Sequence, residues 1–323
     1  MWSVEHPQET APSQREDTSV PDEQAITGIP QRPVYSPYPR RKRKATTAQG
    51  IVAYVAITFG LAWALWIPVW LLRVPAESGF FQFVFLAGAF APAVAAIIVR
   101  ARVTREGFAD AGLRPHLWRA WPYYLFAWLW PLLILGTAVA LATILGLFTP
   151  RDVSASVTSS LMVTLISIPL FWGEEFGWRS YLQIRLFSSR PLLAAVATGL
   201  IWGVWHYPAV LAGYLPNEHG LIGVLIYPWY MIPSSIILGW LRLRSDSVWA
   251  PTLAHAANNI TGPLVGTALI VSGGHGDLLF SPRGILVLIP LGILCAWIIF
   301  SGQLKPRPRA PASPRPIGKI VES

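Results

Sequence analysis

Two adjacent carboxylates and an arginine, in Gly173-Glu174-Glu175-Phe176-Gly177-Trp178-Arg179, close an apolar run from Val157 to Trp172 that is long enough to span a bilayer. A carboxylate or arginine at the centre of a membrane helix costs about 2.5–3.5 kcal/mol on insertion scales, so each needs a partner or a purpose. Helical spacing supplies one partner. Glu175 and Arg179 lie four apart on one face, acid on the N-terminal side of base. Glu174 is rotated roughly 100° from Glu175, and it requires a polar neighbour contributed by another part of the chain.

That reading demands a membrane protein, and the composition agrees. Hydrophobic residues make up 53% of the 323 positions and charged residues only 13%, with a mean hydropathy of +0.47, which no soluble domain of this length shows. The net charge of +9 lies in loops and tails, not in one patch, which excludes a nucleic-acid partner. One cysteine, Cys295, leaves no disulfide framework or cysteine metal cluster within a chain. Residues 1–33 contain no apolar segment of the signal-peptide kind, so insertion is expected to begin at the first membrane helix.

Residues 1–46 are expected to form a disordered basic cytoplasmic tail ending in Arg40-Arg41-Lys42-Arg43-Lys44, and 304–323 a second disordered cytoplasmic tail. Between them, residues 47–303 read as an all-α polytopic helix bundle. Spans are expected at 51–72, 80–99, 121–148, 157–178, 191–213, 221–241, 248–271 and 284–301, about eight in all. With the N-terminus inside, inside connections hold Arg100, Arg102, Arg105, Arg114, Arg119, Arg185, Arg190, Arg242 and Arg244, whereas outside connections hold only Arg73, Arg151 and Arg283. That asymmetry puts both termini in the cytoplasm. Prolines at 92, 122, 131, 169, 228 and 233 predict kinks within spans. Gly199 and Gly203 form a GxxxG step that permits another helix to approach closely.

The remaining membrane-embedded polar groups fall on two further spans. The fifth carries Trp202-Gly203-Val204-Trp205-His206, and the seventh carries His255 and Asn259 four apart on one face. Taken singly, each reads as an ordinary interhelical hydrogen-bonding residue. Three helices bringing such groups together instead predict an intramembrane polar cavity. A carboxylate and an imidazole can hold and deprotonate water, and a second imidazole with a carboxamide can stabilise an oxyanion. Glu174, His206 and His255 equally read as a zinc set with an open position for water, although no HExxH motif is present; no cofactor is certain and zinc stays open. Depth poses a problem. Counted from Pro191, His206 lies about 22 Å into its span at 1.5 Å per residue, whereas Glu174 and His255 are expected near cytoplasmic ends. Either the fifth span begins later, with the fourth continuing helically through Leu186 before re-entry, or the cavity slopes into the membrane.

The ordered set Glu174-Glu175 with Arg179, Trp202 with His206, and His255 with Asn259 resembles the CAAX protease and bacteriocin-processing family of intramembrane proteases, also called the ABI family, over about residues 157–265. The resemblance implies an intramembrane endopeptidase in which Glu174 and His206 activate the attacking water and His255 and Asn259 stabilise the oxyanion. In it, Glu175 and Arg179 hold the site's geometry. Trp202 departs from the phenylalanine of many members but keeps an aromatic wall. The family has been treated both as metal-dependent and as glutamate-type. The implied partners are the lipid bilayer and a peptide or lipidated-protein substrate, prenylated at a CAAX end in eukaryotic relatives and linked to bacteriocin maturation or self-immunity in some bacterial ones. The expected location is the bacterial inner membrane. A non-catalytic immunity or scaffold protein of the same family is the alternative, and a proton-coupled transporter is disfavoured because no repeat symmetry is visible.

Overall fold

The computed structural model describes residues 46–149, 152–214, 220–271 and 284–305, and these form helices and turns without a strand among them. The expected tails at 1–46 and 304–323 fall outside the described residues, apart from Thr46, Leu304 and Lys305. Helix α1 (Thr47–Leu71) starts on a capping box. Thr46 Oγ1 accepts from the Gln49 backbone N–H at 3.2 Å, and Gln49 Oε1 accepts from the Thr46 N–H at 2.8 Å. Helices α2 (Gly79–Ala89) and α3 (Ala91–Ile98) are one apolar span divided at Phe90, just before Pro92, and closed by a π-turn at Val99–Val103. The proline that predicts a kink there separates two helices instead. At Pro122 and Pro131 in α4 (Leu117–Ile144), and at Pro169 in α5 (Ser154–Gly177), the helix continues through the proline.

The second half of the chain is more broken. After α5 a π-turn at Trp178–Leu182 continues the helix, and α6 (Pro191–Trp205), α7 (Tyr207–Leu211) and α8 (Gly220–Ser245) follow. Then come α9 (Trp249–Thr261), a π-turn at Gly262–Gly266, α10 (Thr267–Val271) and α11 (Ile285–Phe300). Among the described residues, five helices are long and apolar enough to cross a membrane: Thr47–Leu71, Gly79–Val103, Leu117–Ile144, Ser154–Leu182 and Gly223–Ser245. The expected eight spans are not matched by eight such helices. The fifth is divided into α6 and α7 because Pro208 lacks an N–H and its ring crowds the preceding turn. The seventh runs helically from 249 to 271 through the π-turn containing Pro263, much as expected, but is not among those five, and α11 is a shorter apolar helix. Exposed Phe83, Ile166 and Ile293 give the bundle the outward apolar surface that lipid requires.

Small residues set the packing around the two carboxylates. Gly173 faces the Phe90 ring, and Gly177 faces Pro92 and the Tyr54 hydroxyl so closely that a Cβ would overlap them, so α5 lies directly on α3. Likewise Gly199 lies against Met231, Ile232 and Ser235, and Gly203 against Pro228, which seats α6 on α8 through the expected GxxxG step. The far side of α5 packs on α9, and α4 covers α9 in turn. Thus the three motif-bearing helices meet within one bundle.

A charged knot ties the end of this bundle. Arg100, fully buried, donates to Asp110 Oδ1 at 2.6 Å, to the Gly107 carbonyl at 2.8 Å and to the Ser180 carbonyl. Arg185 bridges Glu106 at 2.7 Å and Asp110 Oδ2 at 3.0 Å, while Arg242 at the end of α8 donates to the Asp110 carbonyl at 2.8 Å. One short loop therefore fastens the ends of α3, α5 and α8. Burial acts to raise the Asp110 carboxyl, but the Arg100 hydrogen bond and the charges of Arg100 and Arg185 outweigh it and hold it below the usual carboxylate range.

Two outcomes follow for stability. Gly203→Val drives a side chain into the Pro228 backbone and should lower stability by about 1–3 kcal/mol through overpacking, read as a fall in thermal midpoint in detergent. A carboxylate depressed in the fold adds stability above its unfolded value of about 3.9, and that stability is lost as pH falls through the folded value. Asp110→Asn should therefore unfold at the wild-type temperature below about pH 3 and at a lower one from about pH 5 upward. The difference is modest because 47% of the side chain is exposed to screening solvent.

Candidate active site

Continuation of the fourth span lessens the difference in depth, and the alternative of a later start for the fifth span is not seen. The helix runs through the π-turn to Leu182 rather than to Leu186, turns follow, and α6 begins at Pro191 as expected. Glu174 thus lies eight residues, about 12 Å, from that end. His255 lies six residues into α9. The indole of Trp202 reaches across from α6.

Glu174 is 5% exposed, and its Oε2 accepts from Trp202 Nε1 at 2.7 Å. The Trp178 indole, four residues on along the same helix, also approaches the carboxylate. The polar neighbour that the sequence demanded for Glu174 is therefore an indole first, with His255 within electrostatic reach.

Glu175 has no exposed surface and serves two partners. Its Oε2 lies 3.2 Å from Arg179 Nε, a charge–charge contact without aligned hydrogen-bond geometry, and its Oε1 lies 3.1 Å from His255 Nδ1. The expected Glu175–Arg179 pair is present, and the link to His255 is an addition. A buried ion pair is compensated only if its geometry and extra contacts offset desolvation. Here the Arg179 guanidinium also lies over the Trp202 ring, 5.0 Å from its centroid.

The imidazole of His255 is held at both ends. Nδ1 faces Glu175, and Nε2 lies 3.3 Å from Asn259 Nδ2, the contact expected from their spacing of four. Phe171 and Trp202 flank the ring at 4.9 and 5.1 Å. Asn259 Oδ1 in turn accepts weakly from Asn258 Nδ2 at 3.4 Å.

His206 owes its position to the helix break. Its backbone N–H bonds Gly203 O, three residues back, and its Nδ1 meets the Trp202 carbonyl, four residues back, at 2.9 Å. A carbonyl only accepts, so Nδ1 carries the proton and Nε2 presents a lone pair. Trp66, Trp205, Tyr214 and Tyr227 surround the ring at 4.7–6.2 Å. Glu174 and His206 share no hydrogen bond among the described residues; Trp202 touches both.

The zinc set does not fit this arrangement. No group of three His, Cys, Asp or Glu side chains among the described residues is placed to hold a metal ion, and both nitrogens of His255 face protein partners. What the geometry offers is a carboxylate oxygen and an imidazole lone pair as bases, with an amide N–H as donor.

Residues that the sequence did not single out complete the site. Trp63 of α1 donates to the Trp205 carbonyl at 2.9 Å, Trp66 packs on Trp205 at 4.5 Å, and Tyr54 interacts with Arg179 and both glutamates. Nothing in the spacing of α1 announces them, since tryptophans and tyrosines in an apolar helix read equally well as lipid-facing. No curated protein matches the chain. Residues 155–261, which carry all three motifs, match the family model of Rce1-like proteins, described as Type II CAAX prenyl endopeptidase Rce1-like.

Proposed function

We propose that the protein is an intramembrane endopeptidase that hydrolyses a peptide bond of a membrane-associated, CAAX-like substrate with a water activated by Glu174 and His206. The observation that carries this reading is the state of Glu174. It is a buried carboxylate with one oxygen fixed by an indole, on a helix shared with a second carboxylate that is fully engaged elsewhere. A structural role calls for both carboxylates to be paired, whereas a base needs one oxygen left to water.

In this mechanism water lies between Glu174 Oε1 and His206 Nε2, loses its proton to that pair and attacks the scissile carbonyl. The developing oxyanion is met by Asn259 Nδ2, a donor in every protonation state, and by His255 Nε2 when that ring is doubly protonated. Glu175 and Arg179 keep His255 oriented and touch no substrate. The leaving amine takes its proton back from the base pair. Loop arginines near the bundle end formed by α3, α5 and α8 support a cytoplasmic position for that end, in a bacterial inner membrane, by the positive-inside rule.

Glu174→Gln and His206→Ala should each lower kcat/KM on a farnesylated CAAX peptide by about 10³-fold or more, with thermal unfolding unchanged. Asn259→Ala should cost about 10²–10³-fold in kcat, the worth of one oxyanion donor. Full activity of Glu174→Gln would instead support a scaffold role for the polar cluster. Wild-type cleavage should persist after dialysis against a strong chelator; loss restored by zinc would reassign His206 and His255 as ligands.

A further inference from the structure

We infer that Trp202 is the positioning residue of this site, its indole N–H fixing which oxygen of Glu174 acts on water. The inference rests on the protease reading above and goes beyond the aromatic wall expected at this position. Trp202 is 3% exposed and touches four of the site's other groups. Its Nε1 donates to Glu174 Oε2 at 2.7 Å, its carbonyl accepts from His206 Nδ1 at 2.9 Å, its face takes the Arg179 guanidinium at 5.0 Å, and its ring meets His255 edge-on at 5.1 Å.

Consider what each contact does. A buried carboxylate can rotate about its last torsion, which is broad and two-fold, and so presents either oxygen unless one is tied. The indole ties Oε2. Because the same residue holds His206 through its backbone, the carboxylate and the imidazole lone pair are registered against one rigid group, although they share no hydrogen bond with each other. The backbone contact survives any side-chain substitution, so the two functions of Trp202 can be separated. Trp178, which also approaches Glu174, belongs to the same helix as the carboxylate and meets α6 through an edge contact with Trp205 at 5.5 Å, whereas Trp202 joins the carboxylate to α6 by a direct hydrogen bond.

The test compares Trp202→Phe, and an isosteric benzothienylalanine at position 202 that replaces N–H with sulfur, with the wild-type chain on a farnesylated CAAX peptide in detergent. The expected result is a fall in kcat of about 10- to 100-fold for both, the worth of one hydrogen bond to a charged group, with KM and thermal midpoint unchanged. Ultraviolet resonance Raman difference spectra, wild type minus Trp202→Phe, should show a strongly hydrogen-bonded indole that weakens in Glu174→Leu. Unchanged kcat in the sulfur isostere, or an indole signal insensitive to Glu174→Leu, overturns the inference while leaving the protease reading intact. A rise in KM together with a lower thermal midpoint assigns Trp202 to packing and also overturns it. Full activity of Glu174→Gln, or no turnover by the wild-type chain, overturns the protease reading itself and the positioning role with it.

Discussion

Two carboxylates buried side by side in an apolar bundle set the terms for everything around them. Each must be compensated within the bundle, since lipid cannot do it. Glu175 is compensated by charge, with Arg179 on its own helix and the His255 ring from α9. Glu174 is compensated by neutral donors, the Trp202 indole from α6 at 2.7 Å and the Trp178 indole on its own helix, with His255 in electrostatic reach. The difference between these two solutions divides the pair chemically: Glu175 is committed to holding geometry, and Glu174 keeps an oxygen for other work.

Bringing three helices to those carboxylates depends on residues with little or no side chain and on residues without an N–H. Gly173 and Gly177 bracket the acidic pair and let α5 rest on the Phe90–Pro92 break, and Gly199 and Gly203 do the same for α6 on α8. Pro208 ends α6 at Trp205, which leaves His206 at a joint instead of on a helix face. At that joint the backbone hydrogen bond is three residues long, and the Trp202 carbonyl receives the imidazole. Pro263 disturbs the end of α9 just after Asn258 and Asn259. Irregular backbone and polar chemistry thus coincide, as they must in a membrane protein, where non-helical segments are tolerated only against protein or a cavity. The Arg100–Asp110–Arg185 knot then pins the end of α5 that bears the motif to the ends of α3 and α8.

Much of this was legible beforehand because the physics is local. Charges in an apolar run, the spacing of four between Glu175 and Arg179 and between His255 and Asn259, and the small-residue steps all concern one helix at a time. Residues such as Trp202 and Tyr54 were not legible in their roles. A tryptophan four residues before a histidine fixes only that both share a face; that its N–H meets a carboxylate 28 residues earlier in sequence depends on the crossing of α5 and α6. The span at 191–213 was misjudged for a related reason. Hydropathy is blind to whether a proline within an apolar run bends the helix, as at Pro169, or divides it, as at Pro208; neighbouring helices decide by satisfying the freed carbonyls or not.

By itself the sequence determined that this chain is a helical membrane bundle, because so apolar a backbone can satisfy its hydrogen bonds only within helices. It also determined that two glutamates, an arginine, two histidines and an asparagine need one another, because isolated charges and amides are too costly in lipid. Which of them meet was decided by tertiary structure. Glu175 rather than Glu174 takes His255, and an indole rather than an imidazole takes Glu174, because those pairings follow from the rotation and depth at which α5, α6 and α9 cross, and no spacing along a single helix encodes a crossing.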